Sequence, residues 1–160
     1  VLVGGPASDG RDTRLFRHDG LVLVLPAGHR LAGSKTPLAL ADALDEEWIS
    51  LTAGAAMLHQ QRQSALAANR PFKLRMQVRS FDAVCHMVAS GLGIAILPRA
   101  ACLPIVKAMK ISWRRLADPW AQRRLLVACA QGQADADILS LLNFLAEPSQ
   151  NANARMKKEE

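Results

Sequence analysis

The stretch KLRMQVRSFDAVCHMVASGLGIAILP, Lys73 to Pro98, decides the fold. Its first seven residues alternate, with Leu74, Met76 and Val78 on one face and Arg75, Gln77 and Arg79 on the other. That is the period of a half-exposed strand. Ser80 follows, well placed to cap a helix with its hydroxyl. Phe81, Val84, Cys85, Val88 and Leu92 then recur at helical spacing and form one apolar stripe. Gly91 and Gly93 close that helix. Ile94 to Leu97 is a short apolar strand, and Pro98 starts a turn or short helix. A strand, a helix and a strand in so short a span point to an α/β fold with largely parallel strands.

The same alternation of elements continues outward. Leu21 to Leu25 is an unbroken apolar run, the mark of a strand covered on both faces. Ala27-Gly28 turns the chain and Pro37 breaks it again. Ala39 to Leu44 suits a short helix. Trp48 to Thr52 is a strand in which Trp48, Ser50 and Thr52 point one way and Ile49 and Leu51 the other. Ala55 to Asn69 is rich in alanine, glutamine and leucine and reads as a helix, ended by Arg70-Pro71. Ile111 to Leu116 and Arg123 to Ala130 are further strands. A last helix covers about 134 to 145, where Ile138, Leu141, Leu142 and Leu145 follow the i, i+3, i+4, i+7 rule. Asp135 and Asp137 near its start suit the helix dipole.

Composition narrows the function. Of 160 residues, 50% are apolar and 21% charged, which fits a globular chain. No apolar run approaches a membrane span. The net charge is +6, but the basic residues are scattered and the doublets Arg114-Arg115 and Arg123-Arg124 are short. With four Phe, three Trp and no Tyr, a stacking platform for single-stranded nucleic acid is not expected. Three widely spaced cysteines, Cys85, Cys102 and Cys129, suit buried thiols in the reducing cytosol better than a disulfide framework.

In an open α/β sheet, ligands sit beyond the carboxyl ends of the strands, where helix N-termini offer free N–H groups. Two strand-to-helix turns here have that character: Ser50-Leu51-Thr52-Ala53-Gly54 and Arg79-Ser80-Phe81-Asp82. If their strands are parallel neighbours, the turns converge and make a seat for a small carboxylate. A purely structural reading stays open, in which Ser80 only caps its helix and Thr52 only suits a strand.

The segment from Phe81 through Cys85, His86 and Val88 to Gly91-Leu92-Gly93-Ile94-Ala95-Ile96-Leu97-Pro98 resembles the signature of the effector-binding domain of LysR-type transcriptional regulators. There, a helix ending in valine, a small residue and glycine runs into a G-x-G-[IV]-[AG]-[LIV]-[LV]-P strand. Upstream, residues 21 to 32, LVLVLPAGHRLA, are similar to the family's LVLVxPxxHPLA block, with Arg30 where the family often has proline. Trp48 to Leu51 falls between the blocks as a "WISL"-like strand. The resemblance covers roughly residues 1 to 147.

That resemblance implies an α/β, periplasmic-binding-protein-like (type 2) bilobal fold. Residues 27–116 would form a nearly complete second lobe, residues 1–26 and 117–148 a partial first lobe, and 149–160 a flexible tail. It implies a ligand between the lobes, contacted by Ser50, Thr52, Ala53, Gly54, Ser80 and Phe81, with Gly4-Gly5 lining the mouth. The ligand would be a small-molecule effector, a carboxylate. No cofactor, metal, catalytic residue or membrane partner is implied. DNA would be reached only through an N-terminal helix-turn-helix, which lies outside this N-terminally truncated stretch. An extracytoplasmic solute-binding protein of the same architecture is the alternative, and an export leader would mark it.

Other chemistry is set aside. Asp82 and His86 at i, i+4 near Ser80 lack a G-x-S-x-G elbow and an oxyanion hole. His18, His29, His59, His86 and the cysteines show no metal-ligand spacing; His29 instead supports the turn after Pro26. Gly91-Leu92-Gly93 precedes a strand, the reverse of a dinucleotide site. Trp48, Trp113 and Trp120 are too separated for a cage and are expected at lobe edges. The family pairs a first-lobe helix and strand with a second-lobe helix and strand, the latter matching residues 55–69 and 73–79. The first-lobe partners would precede Val1, so the usual homo-oligomer should be impaired. Sizing of the purified chain should show no stable symmetric dimer.

Overall fold

The computed structural model describes residues 2–3, 11–52, 55–106, 108–130 and 135–146. Gly4-Gly5, Ala53, Gly54 and the 149–160 tail lie outside them. In chain order the elements are β1 (Leu2–Val3), β2 (Arg11–Pro26), a 3-10 turn (Leu40–Ala43), β3 (Trp48–Leu51), α1 (Ala55–Ala67), β4 (Leu74–Val78), α2 (Phe81–Ala89), β5 (Ala95–Pro98), α3 (Arg99–Val106), β6 (Ile111–Arg115), a second 3-10 turn (Pro119–Ala121), β7 (Gln122–Ala130) and α4 (Ala136–Ala146). They fall into two compact units, Val1–Asp19 with Arg123–Glu160, and Gly20–Gln122. This is the periplasmic-binding-protein-like type 2 fold.

The apolar run Leu21–Leu25 is the middle of the larger unit. Leu21, Leu23 and Leu25 enter one core cluster with Leu40, Leu44, Trp48 and Ile96. Val22 and Val24 enter a second with Ile49, Val84, Val88 and Leu97. Both faces are dry, as the unbroken run requires. Each fully buried side chain contributes about 1.5–3 kcal/mol.

β2 pairs antiparallel with β5, Leu23 opposite Ile96, and with β6, Leu23 opposite Arg114. β3 and β4 are parallel, and a parallel bridge from Trp48 to Ile94 ties β3 to the start of β5. The order is therefore β4-β3-β5-β2-β6. Four of these strands run parallel, as expected, and β2 alone runs against them. The reason is connectivity. Helical crossovers α1, α2 and α3 link β3, β4, β5 and β6 and keep them parallel, whereas only a loop and a 3-10 turn join β2 to β3.

Local signals produced the expected ends of α2. The Ser80 hydroxyl accepts from Ala83 N at 3.1 Å. At the other end Gly91 adopts φ +73°, its N–H donates to Val88 O, and Leu92 N–H donates to Met87 O. That paired arrangement satisfies the last carbonyls of the helix, and the left-handed residue in it is commonly glycine. Gly93 is required for a different reason: a Cβ there would lie 2.6 Å from Glu47 O.

Trp48 departs from the expected lobe-edge position. It is completely buried, its ring 5.2 Å from that of Phe72. An interior strand with α1 packed over it leaves no edge for this ring to occupy. His29 does support its turn: Nδ1 accepts from Leu31 N at 3.2 Å, and its own N–H reaches Pro26 O. The loop beyond is held by the buried Arg114, which donates to Leu31 O at 2.9 Å and to Thr36 O.

In the smaller unit β7 lies between β1 and β2, with Leu2 opposite Leu126. The Arg123 guanidinium pairs with the buried Asp19 carboxylate. Asp135 caps α4, accepting from Ile138 N at 2.9 Å. Of the apolar stripe on α4, Leu142 is buried, while Ile138 and Leu141 are exposed, as is Phe144 beside them at 72%. Among the described residues no helix is long and apolar enough to cross a membrane.

Gly93→Ala should push the added methyl into the Glu47 carbonyl that accepts Ile94 N–H. A loss of about 1–3 kcal/mol is expected, read as a lower urea midpoint at unchanged slope.

Candidate functional site

Two strand ends meet at one edge of the larger unit. β3 and β4 pair with Ser50 beside Gln77 and Leu51 beside Val78. Thr52 then donates its backbone N–H to Val78 O at 2.8 Å, and its hydroxyl to the same oxygen at 3.3 Å. The turn after β3 is thus fastened to the last residue of β4. One step further along, Arg79 and Ser80 lead into α2. Both turns leave the same edge, each at the head of a helix, where unpaired N–H groups collect.

The sequence-derived residues fare differently. Thr52, Ser80 and Phe81 lie at this edge and are exposed. Ser80 is already engaged as the α2 cap, so its oxygen accepts from Ala83 while its proton stays available. Phe81 presents an exposed ring at the first position of α2. Ser50 is not exposed: it sits one pleat below Thr52 with 4% accessibility, and its hydroxyl has no hydrogen-bond partner. Ala53 and Gly54 lie outside the described residues.

Gln61 is a second buried polar residue without any sequence signal, because it stands in the polar run His59-Gln60-Gln61-Arg62-Gln63. It lies on the packed side of α1 between the buried Leu58 and Ala65, 1% exposed, and its side-chain oxygen is also unpartnered. A buried polar atom left unpaired costs about 1–3 kcal/mol.

Other reactive groups are engaged elsewhere. Asp82 and His86 face each other at 3.6 Å on the outside of α2. Burial pushes the Cys102 thiol up to about 11, and burial likewise raises Cys85, so neither is a ready nucleophile. Among the described residues no group of three His, Cys, Asp or Glu side chains is placed to hold a metal.

Fold and turn geometry together define a domain of the periplasmic-binding-protein-like class, with its candidate site at the carboxyl edge of a sheet. The family model described as LysR substrate binding domain matches residues 1–149, and the chain belongs to that family. A curated relative, the probable HTH-type transcriptional regulator LrrA of Synechococcus elongatus, is 34% identical over 100 residues. That match takes in 62% of this chain and 33% of the relative, so the chain spans about a third of that protein's length.

Solved structures share the fold. The Synechocystis PCC6803 CcmR regulatory domain in complex with 2-PG superposes with a TM-score of 0.78 at 20% identity, over 94% of this chain and 72% of that one. The effector binding domain of QuiR in complex with shikimate gives 0.70 at 17%, over 89% and 66%. The regulatory domain of NMB2055 (MetR) from N. meningitidis gives 0.70 at 20%, over 90% and 67%.

The two serines should respond in opposite directions. Ser80→Ala removes a working cap and should cost about 1 kcal/mol. Ser50→Ala removes an unpaired buried hydroxyl and should stabilise the ligand-free chain by about 1 kcal/mol. Chemical denaturation of the two variants beside the wild type reads both signs.

Proposed function

We propose that this chain is the effector-sensing domain of a LysR-type transcriptional regulator. It takes a small carboxylate at the turns carrying Ser50, Thr52, Ala53, Gly54, Ser80 and Phe81. The observation that carries the reading is the bond from Thr52 N–H to Val78 O, which fastens one turn to the strand that supplies the other. Family membership supports it. So do the relatives' occupants, since CcmR is solved with 2-PG and QuiR with shikimate.

The mechanism is a shift of populations. A ligand that binds one conformational state better than another biases the equilibrium between them by its difference in affinity. In the whole protein that bias is passed to a helix-turn-helix that reads DNA, within a cytoplasmic homo-oligomer. The domain itself performs no covalent chemistry. Its residues offer hydroxyls, backbone N–H groups and an apolar ring, the means of holding a small acid without reacting with it.

A thermal-shift screen with small aromatic and aliphatic acids tests this. One acid, near a hundredfold excess over its Kd, should add about 2.7 kcal/mol, a rise of about 5–10 °C for a domain of this size. Thr52→Val should abolish the rise. If no acid raises the transition, the reading is wrong.

A further inference from the structure

The turns are short of hydrogen-bond donors for an anion. The Thr52 hydroxyl directs its proton at Val78 O. Ser50 is closed off beneath α1. The Ser80 hydroxyl, whose oxygen accepts at the helix cap, has a single proton to offer. A carboxylate at this edge needs a stronger donor than these hydroxyls, and the strand register shows where one stands.

In a parallel pair, side chains at matched positions lie on the same face. Ser50 matches Gln77, so one pleat on Thr52 matches Arg79. Both are exposed. Neighbouring strands lie about 4.8 Å apart, well within the reach of an arginine side chain. The unpartnered hydroxyl of Ser50, 4% exposed, sits on the same face one step below. The first N–H groups of α2 begin two residues after Arg79.

Among the described residues Arg79 is also uncommitted. Arg30 pairs with Glu46 and Arg70 with Asp45. Arg75 donates to Leu92 O, and Arg114 to Leu31 O and Thr36 O. Arg99 lies over the Trp113 ring, and Arg115 has a partner. Among the described residues of this unit Arg79 and Arg62 alone among the arginines lack such a contact, and Arg62 is on the exposed side of α1. The face of β4 that carries Arg79 also presents Lys73 and Arg75; of the nearby acids, Asp45 is held by Arg70 and Asp82 faces His86.

We infer that Arg79 is the specificity-determining residue of this site, its guanidinium receiving the carboxylate of the effector. The inference rests on the function proposed above and narrows its ligand to an acid in its ionised form. Guanidinium and carboxylate match in a planar, two-bond geometry that an ammonium group cannot reproduce. The neutral amide of the same acid forfeits that contact, so the site separates acid from amide by charge while Phe81 and Thr52 take the rest of the molecule.

The test uses the whole chain and isothermal titration with benzoate, shikimate and malate, carrying forward whichever binds wild type most tightly, beside its amide. Arg79→Gln should weaken the acid about tenfold to a hundredfold, the range for losing a charge-assisted pair, and leave the amide unchanged. Arg79→Lys should fall between. Raising chloride should weaken the acid for wild type and not for Arg79→Gln. Circular dichroism melts confirm folding, which an exposed position should preserve.

Acid binding that Thr52→Val weakens and Arg79→Gln leaves intact overturns the role of Arg79 while the proposed site survives. An equal loss for acid and amide in Arg79→Gln overturns it too, since charge recognition predicts a difference. No binding of any of the three acids to wild type overturns the site and this inference together.

Discussion

The five residues Leu21–Leu25 are buried on both faces of β2, and the larger unit is assembled on that constraint. Odd positions serve one core cluster and even positions the other, so this strand, like β3 and β5 beside it, separates the two clusters. β5 and β6 are bonded to its two edges. β3 is joined to β5 through the Trp48–Ile94 bridge, and β4 to β3. The candidate site therefore stands at the end of an unbroken series of backbone hydrogen bonds that starts in the driest part of the unit. Strands can hold a turn to within fractions of an ångström only when they are themselves anchored, and this one is anchored by side chains with no route to water.

Distance from that anchor also explains the character of the site. β4 is the outermost strand of the series, and its side chains alternate between half-buried and exposed. Its inward residues Met76 and Val78 pack on the α2 cluster. Of its outward residues Arg75 ties down Leu92 O, while Gln77 and Arg79 are exposed, so chemistry can vary at those two at little cost to the fold. The positions below them are not free. Ser50 and Gln61 leave unpaired polar atoms in a dry layer, a departure from the rule that buried polar groups find partners. Departures of that kind gather at functional sites, and Ser50 lies two residues before Thr52 on the same strand.

What the sequence made legible was local. The alternation of Lys73–Arg79, the Ser80 cap and the Gly91 helix stop each depend on residues within one turn or pleat of one another, and each appears as expected. The convergence of the two turns followed from strand-helix alternation, because helical crossovers make parallel neighbours. What stayed hidden was set by pairing between distant segments. β2 runs antiparallel because a loop rather than a helix follows it. Trp48 is central because β3 is interior. Ser50 is sealed because α1 covers that face, a fact no pattern in WISL contains. Arg114 looks like half of a surface doublet, yet its side chain is buried against the carbonyls of Leu31 and Thr36. The helical period of α4 is real, but period alone does not say that Leu142 is covered while Leu141 is open.

The excess of positive charge acquires a meaning from how the cations are used. A basic chain suggests nucleic acid when its arginines are unengaged and clustered. Here several are structural: two meet carboxylates on the Asp45-Glu46 segment, one meets Asp19, and Arg75 and Arg114 tie down backbone carbonyls. A carbonyl satisfies the hydrogen bonds of a guanidinium without cancelling its charge. Arg114 is thus a buried cation whose bonding partners are neutral. Fixed charge of one sign that is hydrogen-bonded but not neutralised raises the potential in nearby concavities. The arginines named here are in this way occupied with holding the fold together.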